Sequence, residues 1–510
     1  MRQKIESICV LGGGTAGWMT AAALSHKFKG QPISIRLIES DEIGTVGVGE
    51  ATLPHIRNFN NALRIGEPEL MKATEATIKL GIEFCDWGRI GDRYIHPFGD
   101  YGPNVNGVPF YQFWLRLRGL GDTTRLDEYS LGVILAEMGR FMSPGTDPAR
   151  LESTFRYAYQ FDATKYARFL RKYSEANGVV RIEGKVVDAT RHATTGFIES
   201  VKLDRGESVA ADLWVDCSGF RGLLIEQQLQ TGYEDWSQWL PCNRAVAIPC
   251  ETHGPLTPFT RATARQAGWQ WRIPLQHRVG NGHVFCSDFI SEDEATQVLL
   301  DNLEGPPLAS PNKLFFKTGR RRQFWNKNVV AIGLSAGFLE PLESTSIHLI
   351  QDGITELIQL FPDKDFAQSD ADEYNRRMSL YFERVRDFLL LHYVATQRDD
   401  SPMWRHFRNL KLPDSLQEKI DAWLARAHII KYEFGVFLPP SWIAVMLGQN
   451  LLPRGYDPRA DAAPQAVLVD NAAAIRRGVL DAARHAPDHA AWIRQIGAAS
   501  DTAPLSAAGR

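Results

Sequence analysis

Apolar positions fall into two rhythms along this chain. Ile5–Leu11 is a short, mostly apolar run of the length expected for a buried strand. Gly12-Gly13-Gly14-Thr15-Ala16-Gly17 interrupts it, Trp18–Phe28 reads as a helix, and Ile33–Ile38 is a second strand ending at Glu39. Asp162–Ala176 reads as another helix. Val179–Thr190, Phe197–Leu203 and Leu213–Asp216 read as strands, the last running into Asp216-Cys217-Ser218-Gly219. A late strand, Asn328–Ile332, leads through Gly333 into a helix over Thr345–Phe361. Residues 234–315 read as a mixed β region, and 366–430 as strongly helical and charged. From about residue 460 Ala, Asp and Pro dominate, with short helices at Asp470–His485 and Asp488–Ile496 and a frayed end from Ala498 to Arg510.

One stretch, "EATIKLGIEF" at residues 75–84, reads locally as a helix end. Leu70, Ala73, Thr77 and Leu80 fall on one helical face, with Lys79 pointing away from it. Glu75 stands four residues before Lys79, the favourable order for a helical ion pair, and Gly81 suits a C-cap. On this pattern alone Lys79 is a solvated surface lysine.

The N-terminal unit carries the parts of a dinucleotide fingerprint in order. Gly12 permits a tight turn, Gly14 lets backbone approach a pyrophosphate, and Gly17 lets helix and strand pack closely. The helix N-terminus offers an anion site, and Glu39 can take a ribose hydroxyl pair. This βαβ start does not choose between NAD and FAD.

Composition narrows the setting. The 510 residues suffice for two or three domains, and the formal net charge of −3 provides no field for nucleic acid or an anionic membrane. No apolar run is long enough to span a bilayer, and the first residues lack a signal-peptide core. Six scattered cysteines without a CxxC pair argue against a zinc site and a disulfide framework, so we expect no metal and a reduced, cytoplasmic protein.

Several segments together resemble the flavin-dependent halogenases of the tryptophan halogenase family. They are Gly12–Met19, Gly47–Thr52, Lys79, Asp216–Gly219, the Trp-x-Trp-x-Ile-Pro run at Trp269–Pro274, and Phe338–Thr345; residues 392–404 extend the likeness and the tail beyond about 455 carries little of it. The resemblance implies an α/β fold: an FAD-binding Rossmann-like domain of the flavoprotein monooxygenase type, with a β-rich substrate region and a C-terminal helical region. It divides the chain into an FAD-binding and halogenation core over 1–365, with the β insert at about 234–315, and a mostly helical substrate-side region over 366–510. The cofactor residues it implies are Gly12, Gly14, Thr15, Ala16, Gly17, Glu39, Glu50, Ala51, Val186, Gly333 and Leu334.

In that family FADH2, delivered by a separate NAD(P)H-dependent reductase, reacts with O2 and chloride or bromide, and hypohalous acid passes to an aromatic substrate. By resemblance Lys79 holds or transfers the electrophile, as an ammonium that hydrogen-bonds hypohalous acid or as a haloamine. Desolvation favours the second form, and the sequence leaves both open. Glu343 acts with Lys79 and takes the ring proton, Ser344 lines the same passage, and halide sits on the amides around Thr345 and Ser346. Trp269 and Trp271 keep substrate away from flavin, although two aromatics at strand spacing equally suit a packed core. His96, Pro97 and Phe98 form the aromatic clamp, with Glu433 and Phe437 from the C-terminal side. Lys79 is then expected to be buried, near Glu343, and only weakly paired with Glu75.

Three departures matter. Ser346 stands where tryptophan-specific relatives have glycine, and His348 where they have tyrosine, which leaves halide preference open between chloride and bromide. The lid "RAHIIKYEF" at 426–434 is short and lacks their tyrosine pair, so indole-type aromatics fit better than free tryptophan. A flavin-dependent aromatic hydroxylase is the alternative reading, and a non-catalytic flavin-binding sensor a third. A homodimer is left open.

Overall fold

The computed structural model describes residues 3–43 and 49–500. Gly47 and Val48 of the Gly47–Thr52 segment, and residues 501–510 of the expected frayed end, lie outside the described residues. Within the rest of that end, Ala498 is buried and the Ser500 N–H donates to Gln276 Oε1 at 2.8 Å. By compactness the chain forms two units, each drawn from three segments: 1–74, 161–243 and 315–383, and 75–160, 244–314 and 384–510.

The first unit is built on a six-stranded sheet in the order Trp325–Asn326, Val329–Ala331, Leu213–Asp216, Ser7–Leu11, Ser34–Glu39, Val180–Glu183. All neighbours are parallel except the Trp325–Asn326 edge. Ile8, Cys9 and Val10 are wholly buried, as a central strand covered on both faces requires. The helix Thr15–Lys27 packs against Ala163–Ala176 and Ser346–Gln359. Asp162 caps Ala163–Ala176, its carboxylate accepting from the Lys165 N–H at 3.1 Å. The expected single strand over Val179–Thr190 is two, Val180–Glu183 and Val186–Arg191, because Gly184 at φ +156° turns the chain out of the parallel sheet. The second strand enters an antiparallel meander with Ile198–Leu203 and Ser208–Ala210.

The second unit holds a seven-stranded sheet in the order Asn312–Phe315, Arg244–Cys250, Val279–Phe285, Gly268–Pro274, Thr260–Arg265, Gly81–Cys85, Arg93–Pro97. Every residue of Gly268–Pro274 and Val279–Phe285 is buried. Trp271 pairs with Gly282 in register, and a Cβ at Gly282 would lie 2.1 Å from the indole. Only glycine leaves room for that ring to lie across the neighbouring strand. Helices of this unit include Phe110–Gly119, Leu131–Glu137, Asp414–Arg426, Pro439–Gly448, Gln465–His485 and His489–Gln495.

The Lys79 segment corrects the expected helix. The helix Glu67–Thr74 stops at Glu75, whose φ of +52° turns the chain out of it, and Thr77–Lys79 is a strand paired antiparallel with residues 158–160. Gly81 is no C-cap; it opens the strand Gly81–Cys85, where a Cβ would meet the His96 carbonyl oxygen at 2.4 Å. The apolar spacing of 70–80 resembles a helical stripe because the end of a helix and the start of a strand bury successive residues in one core.

Candidate active site

The glycine turn has the form its sequence requires. Gly12 sits at φ +113°, and a Cβ there would meet the Cys217 carbonyl oxygen at 2.3 Å. A Cβ on Gly17 would lie 1.8 Å from the Gly12 carbonyl oxygen, whereas at Gly14 nothing lies within 4 Å. The helix starting at Thr15 has Gly14 as N-cap with no side-chain cap, so its first N–H groups face an open approach. Gly333, at φ +80°, closes onto the same turn, with its Cβ position 2.7 Å from the Ala16 side chain. Leu334 follows it in a single 3-10 turn. These residues fit a dinucleotide pyrophosphate on the helix N-terminus.

Glu39 ends its strand beside this turn. Its carboxylate accepts from Arg181 at 2.5 Å, Arg171 at 3.3 Å and the Trp18 indole at 3.3 Å. The Gly184 N–H bonds the Glu39 carbonyl at 2.9 Å, so Val186 starts its strand two residues from that anchor. Glu50 lies in the strand Gly49–Ala51, and burial pushes its carboxyl up to about 7. Asp216-Cys217-Ser218-Gly219 is largely architectural. Asp216 accepts from Ser218, Leu224 and Ile225 N–H groups, and its carbonyl takes the Ile332 N–H at 3.0 Å, joining the two crossover loops.

Glu343 is fully buried at the end of a short 3-10 turn, Pro341–Glu343. Ser344 then adopts φ +59°, and the helix Ser346–Gln359 begins without a side-chain cap. Thr345 is 0% exposed, and its Oγ1 has no hydrogen-bond partner among the described residues. Uncapped amides plus an orphaned hydroxyl suit a small anion at Thr345 and Ser346. One turn on, the His348 ring packs tilted against His55 at 4.3 Å and lies 3.3 Å from Asp352. Burial, reinforced by His55, holds the His348 imidazole down at about 3, so it is neutral and adds no charge beside the helix start. The signal for His55 was present in the sequence only as the residue after Leu53-Pro54, which gives no hint of the packed imidazole pair.

In the second unit Lys79 is 0% exposed, and its Nζ lies 5.2 Å from the centroid of the Phe98 ring. Glu75 pairs with His277. His96 is buried and meets Phe98, Phe388 and Phe437 edge-on or tilted at 5.7–6.3 Å. Phe437 stacks on Phe388 at 3.8 Å, and Trp442 meets Phe388 at 4.9 Å. Pro97 is buried. The structure therefore gathers Lys79, His96, Phe98 and Phe437 with two aromatics, Phe388 and Trp442, that sequence reasoning missed: Phe388 lies in the stretch 366–430 that reads as ordinary charged helix, and Trp442 in a stretch given no reading. Glu433 does not join them: it is exposed, while its neighbour Tyr432 turns inward to bond Asp387 and the Ser415 carbonyl. Lys419 lies over the rings of Tyr432, at 3.7 Å, and Trp442, at 4.2 Å, and burial lowers its amine to about 8. Trp269 and Trp271 are 1% and 7% exposed, with centroids 6.1 Å apart.

A glycine turn built for a dinucleotide, an anion-ready helix start and a buried lysine among aromatics are the parts of a flavin-dependent halogenase, and the comparisons define that class. BrvH, a flavin-dependent halogenase from Brevundimonas sp. BAL3, superposes with a TM-score of 0.94 at 46% identity, over 96% of this chain and 99% of that one. Xcc4156, a flavin-dependent halogenase from Xanthomonas campestris, gives 0.93 at 44% identity, over 97% and 98%. The tryptophan 6-halogenase SttH of Streptomyces toxytricini is 37% identical over 95% of this chain and 96% of its own length. The family model for tryptophan halogenase matches residues 7–465, and the chain belongs to the tryptophan halogenase family. It is an enzyme of halogenation that uses flavin. Among the described residues there is no cluster of metal-ligating side chains, and no helix is long and apolar enough to cross a membrane.

Proposed function

We propose that the enzyme moves an electrophilic halogen from hypohalous acid to an electron-rich aromatic such as indole, with Lys79 holding the electrophile and Glu343 acting with it. The observation that carries this reading is the burial of Lys79 over the Phe98 ring. Full burial is rare for a lysine, and its amine or ammonium can hold hypohalous acid away from water. FADH2 from a separate reductase, bound by Gly12, Gly14, Thr15, Ala16, Gly17, Glu39, Glu50, Ala51, Val186, Gly333 and Leu334, would supply with O2 and halide the oxidising power for that acid.

The residues of this chain do the remainder. Amides and the hydroxyl at Thr345 and Ser346 hold chloride or bromide. His96, Pro97, Phe98 and Phe437 hold the aromatic ring. Trp269 and Trp271 keep it from the flavin. In the transfer, the halogen–oxygen bond breaks with its electron pair left on oxygen, a carbon–halogen bond forms, and the ring proton leaves to the Glu343 carboxylate. The hydroxide left from hypohalous acid takes that proton back from the Glu343 carboxyl, so haloarene and water are the products and the carboxylate is restored. The short 426–434 segment and the outward Glu433 favour indole-type substrates over a zwitterionic amino acid.

The test supplies reductase, FAD, O2, bromide and indole and weighs the products. Wild type should give the bromine isotope pattern. Lys79→Ala should bind flavin normally and lose bromoindole by about 100-fold or more. Retained bromination in Lys79→Ala would refute the role of the lysine.

A further inference from the structure

The backbone that carries Lys79 is gripped by side chains from distant parts of the chain. The strand Thr77–Lys79 pairs on one edge with residues 158–160, which leaves the Ile78 N–H pointing to the other edge. There it donates to Nε2 of His489 at 3.0 Å. Because Nε2 must accept, Nδ1 carries the ring proton, and Nδ1 meets the Leu256 carbonyl oxygen at 3.1 Å. Both ring nitrogens are therefore used and only one tautomer serves. His489 is 1% exposed, and burial holds its imidazole down at about 4, in keeping with a neutral ring. The Ile78 carbonyl, on the peptide that leads into Lys79, accepts from Gln160 Nε2 at 3.2 Å.

His489 is itself held in place. Its own N–H bonds the Gly139 carbonyl at 3.0 Å, and Trp492, one turn on, packs on Phe141 at 4.5 Å. Phe141 packs on Tyr157 at 4.9 Å, and Tyr157 precedes Ala158, the register partner of Lys79. The helix His489–Gln495 lies beyond the 7–465 span of the family match.

We propose that His489 is a positioning residue for Lys79. As a neutral acceptor it fixes the Ile78 N–H, and with Gln160 it sets the direction in which the lysine leaves the strand. This rests on the proposed role of Lys79. A lysine that must meet an electrophile at bonding distance tolerates little drift of its backbone, and a displacement of about 1 Å can cost ~10²-fold in rate.

Two readouts test it. In hydrogen exchange, the peptide covering residues 76–80 should gain deuterium faster in His489→Ala than in wild type, while other strands of the unit keep their protection. In turnover with reductase, bromide and indole, flavin oxidation and free hypohalous acid caught by a β-diketone scavenger should hold near wild type, while bromoindole falls by about 10-fold or more. His489→Gln, whose amide can accept and donate in the same directions, should recover most of the yield. If His489→Ala does not fold, His489→Asn replaces it, being too short to reach the Ile78 N–H, with the same losses expected. Unchanged exchange at 76–80, or bromoindole and hypohalous acid falling together without recovery in His489→Gln, would overturn the proposal. Lys79→Ala is run in parallel: if it still brominates, the reading of the lysine fails; if it is dead while His489→Ala is normal, only this inference fails.

Discussion

Gly282→Ala tests whether the Trp271 ring lies where the structure puts it. The added methyl would stand 2.1 Å from Trp271 Cη2 and Cζ2 and 2.6 Å from Cε2. Carbon atoms in contact sit at about 3.5–4.0 Å, so the ring must rise by about 1.5 Å or the two strands must part. Both strands are buried along their whole length and paired over seven residues, so neither yields freely. Overpacking of this kind costs about 1–3 kcal/mol. At ~2–4 °C per kcal/mol, the melting temperature should fall by several degrees. Trp271→Leu alone loses ring burial but opens the space above Gly282. In the double variant the methyl finds room, so its added cost should shrink by ~1 kcal/mol or more, well outside additivity. Urea and thermal unfolding of the four proteins give the cycle. Additive losses, or a Gly282→Ala protein as stable as wild type, would refute the flat packing of Trp271 on Gly282 and the account of that glycine.

Acid should weaken the fold through its buried neutral histidines. His283 is held down to about 4 by burial, against 6.5 for the free group. The unfolded chain binds the extra proton first, so stability is full above pH 6.5 and falls as pH drops towards 4, by at most about 3 kcal/mol for this residue. Glu50, raised to about 7, acts with opposite sign, favouring the folded state below pH 4.5 and losing that advantage as pH rises to 7. His283→Gln should flatten the acid slope of the urea midpoint between pH 6.5 and 4, and an unchanged slope would contradict the assignment. Ser346→Gly removes a Cβ and hydroxyl at the helix start, and the ratio of chloride to bromide turnover should rise; an unchanged ratio would exclude Ser346 from the halide site. Lys419→Met removes the cation over Tyr432 and Trp442, worth about 1–2 kcal/mol where desolvated, and should raise KM for indole through Phe437 with little change in kcat. A rise confined to kcat would place Lys419 elsewhere in the reaction.

The N-terminal half-site was legible residue by residue because its constraints are local. A turn that must bring backbone to a pyrophosphate admits only glycine at Gly12 and Gly17, and the short contacts of their missing Cβ atoms repeat that requirement in space. The strands on either side were legible from apolar runs, since a parallel sheet buries both faces. Lys79 was legible as chemistry by resemblance but not as structure. Its stretch carries a helical stripe, and the strand forms because Ala158–Gln160, Gln160 Nε2 and His489 satisfy its backbone from residues far along the chain. No local pattern encodes a hydrogen bond across 411 positions. The pairing of Glu75 with His277 was likewise invisible locally, because it depends on the αL turn at Glu75 and on a residue far along the chain. The sequence by itself determined the nucleotide turn and the buried strands, because each depends on neighbours in the chain. The tertiary structure decided which aromatics face the lysine, which histidines stay neutral and what holds the Lys79 strand in place, because burial and long-range hydrogen bonds exist only once distant segments have packed.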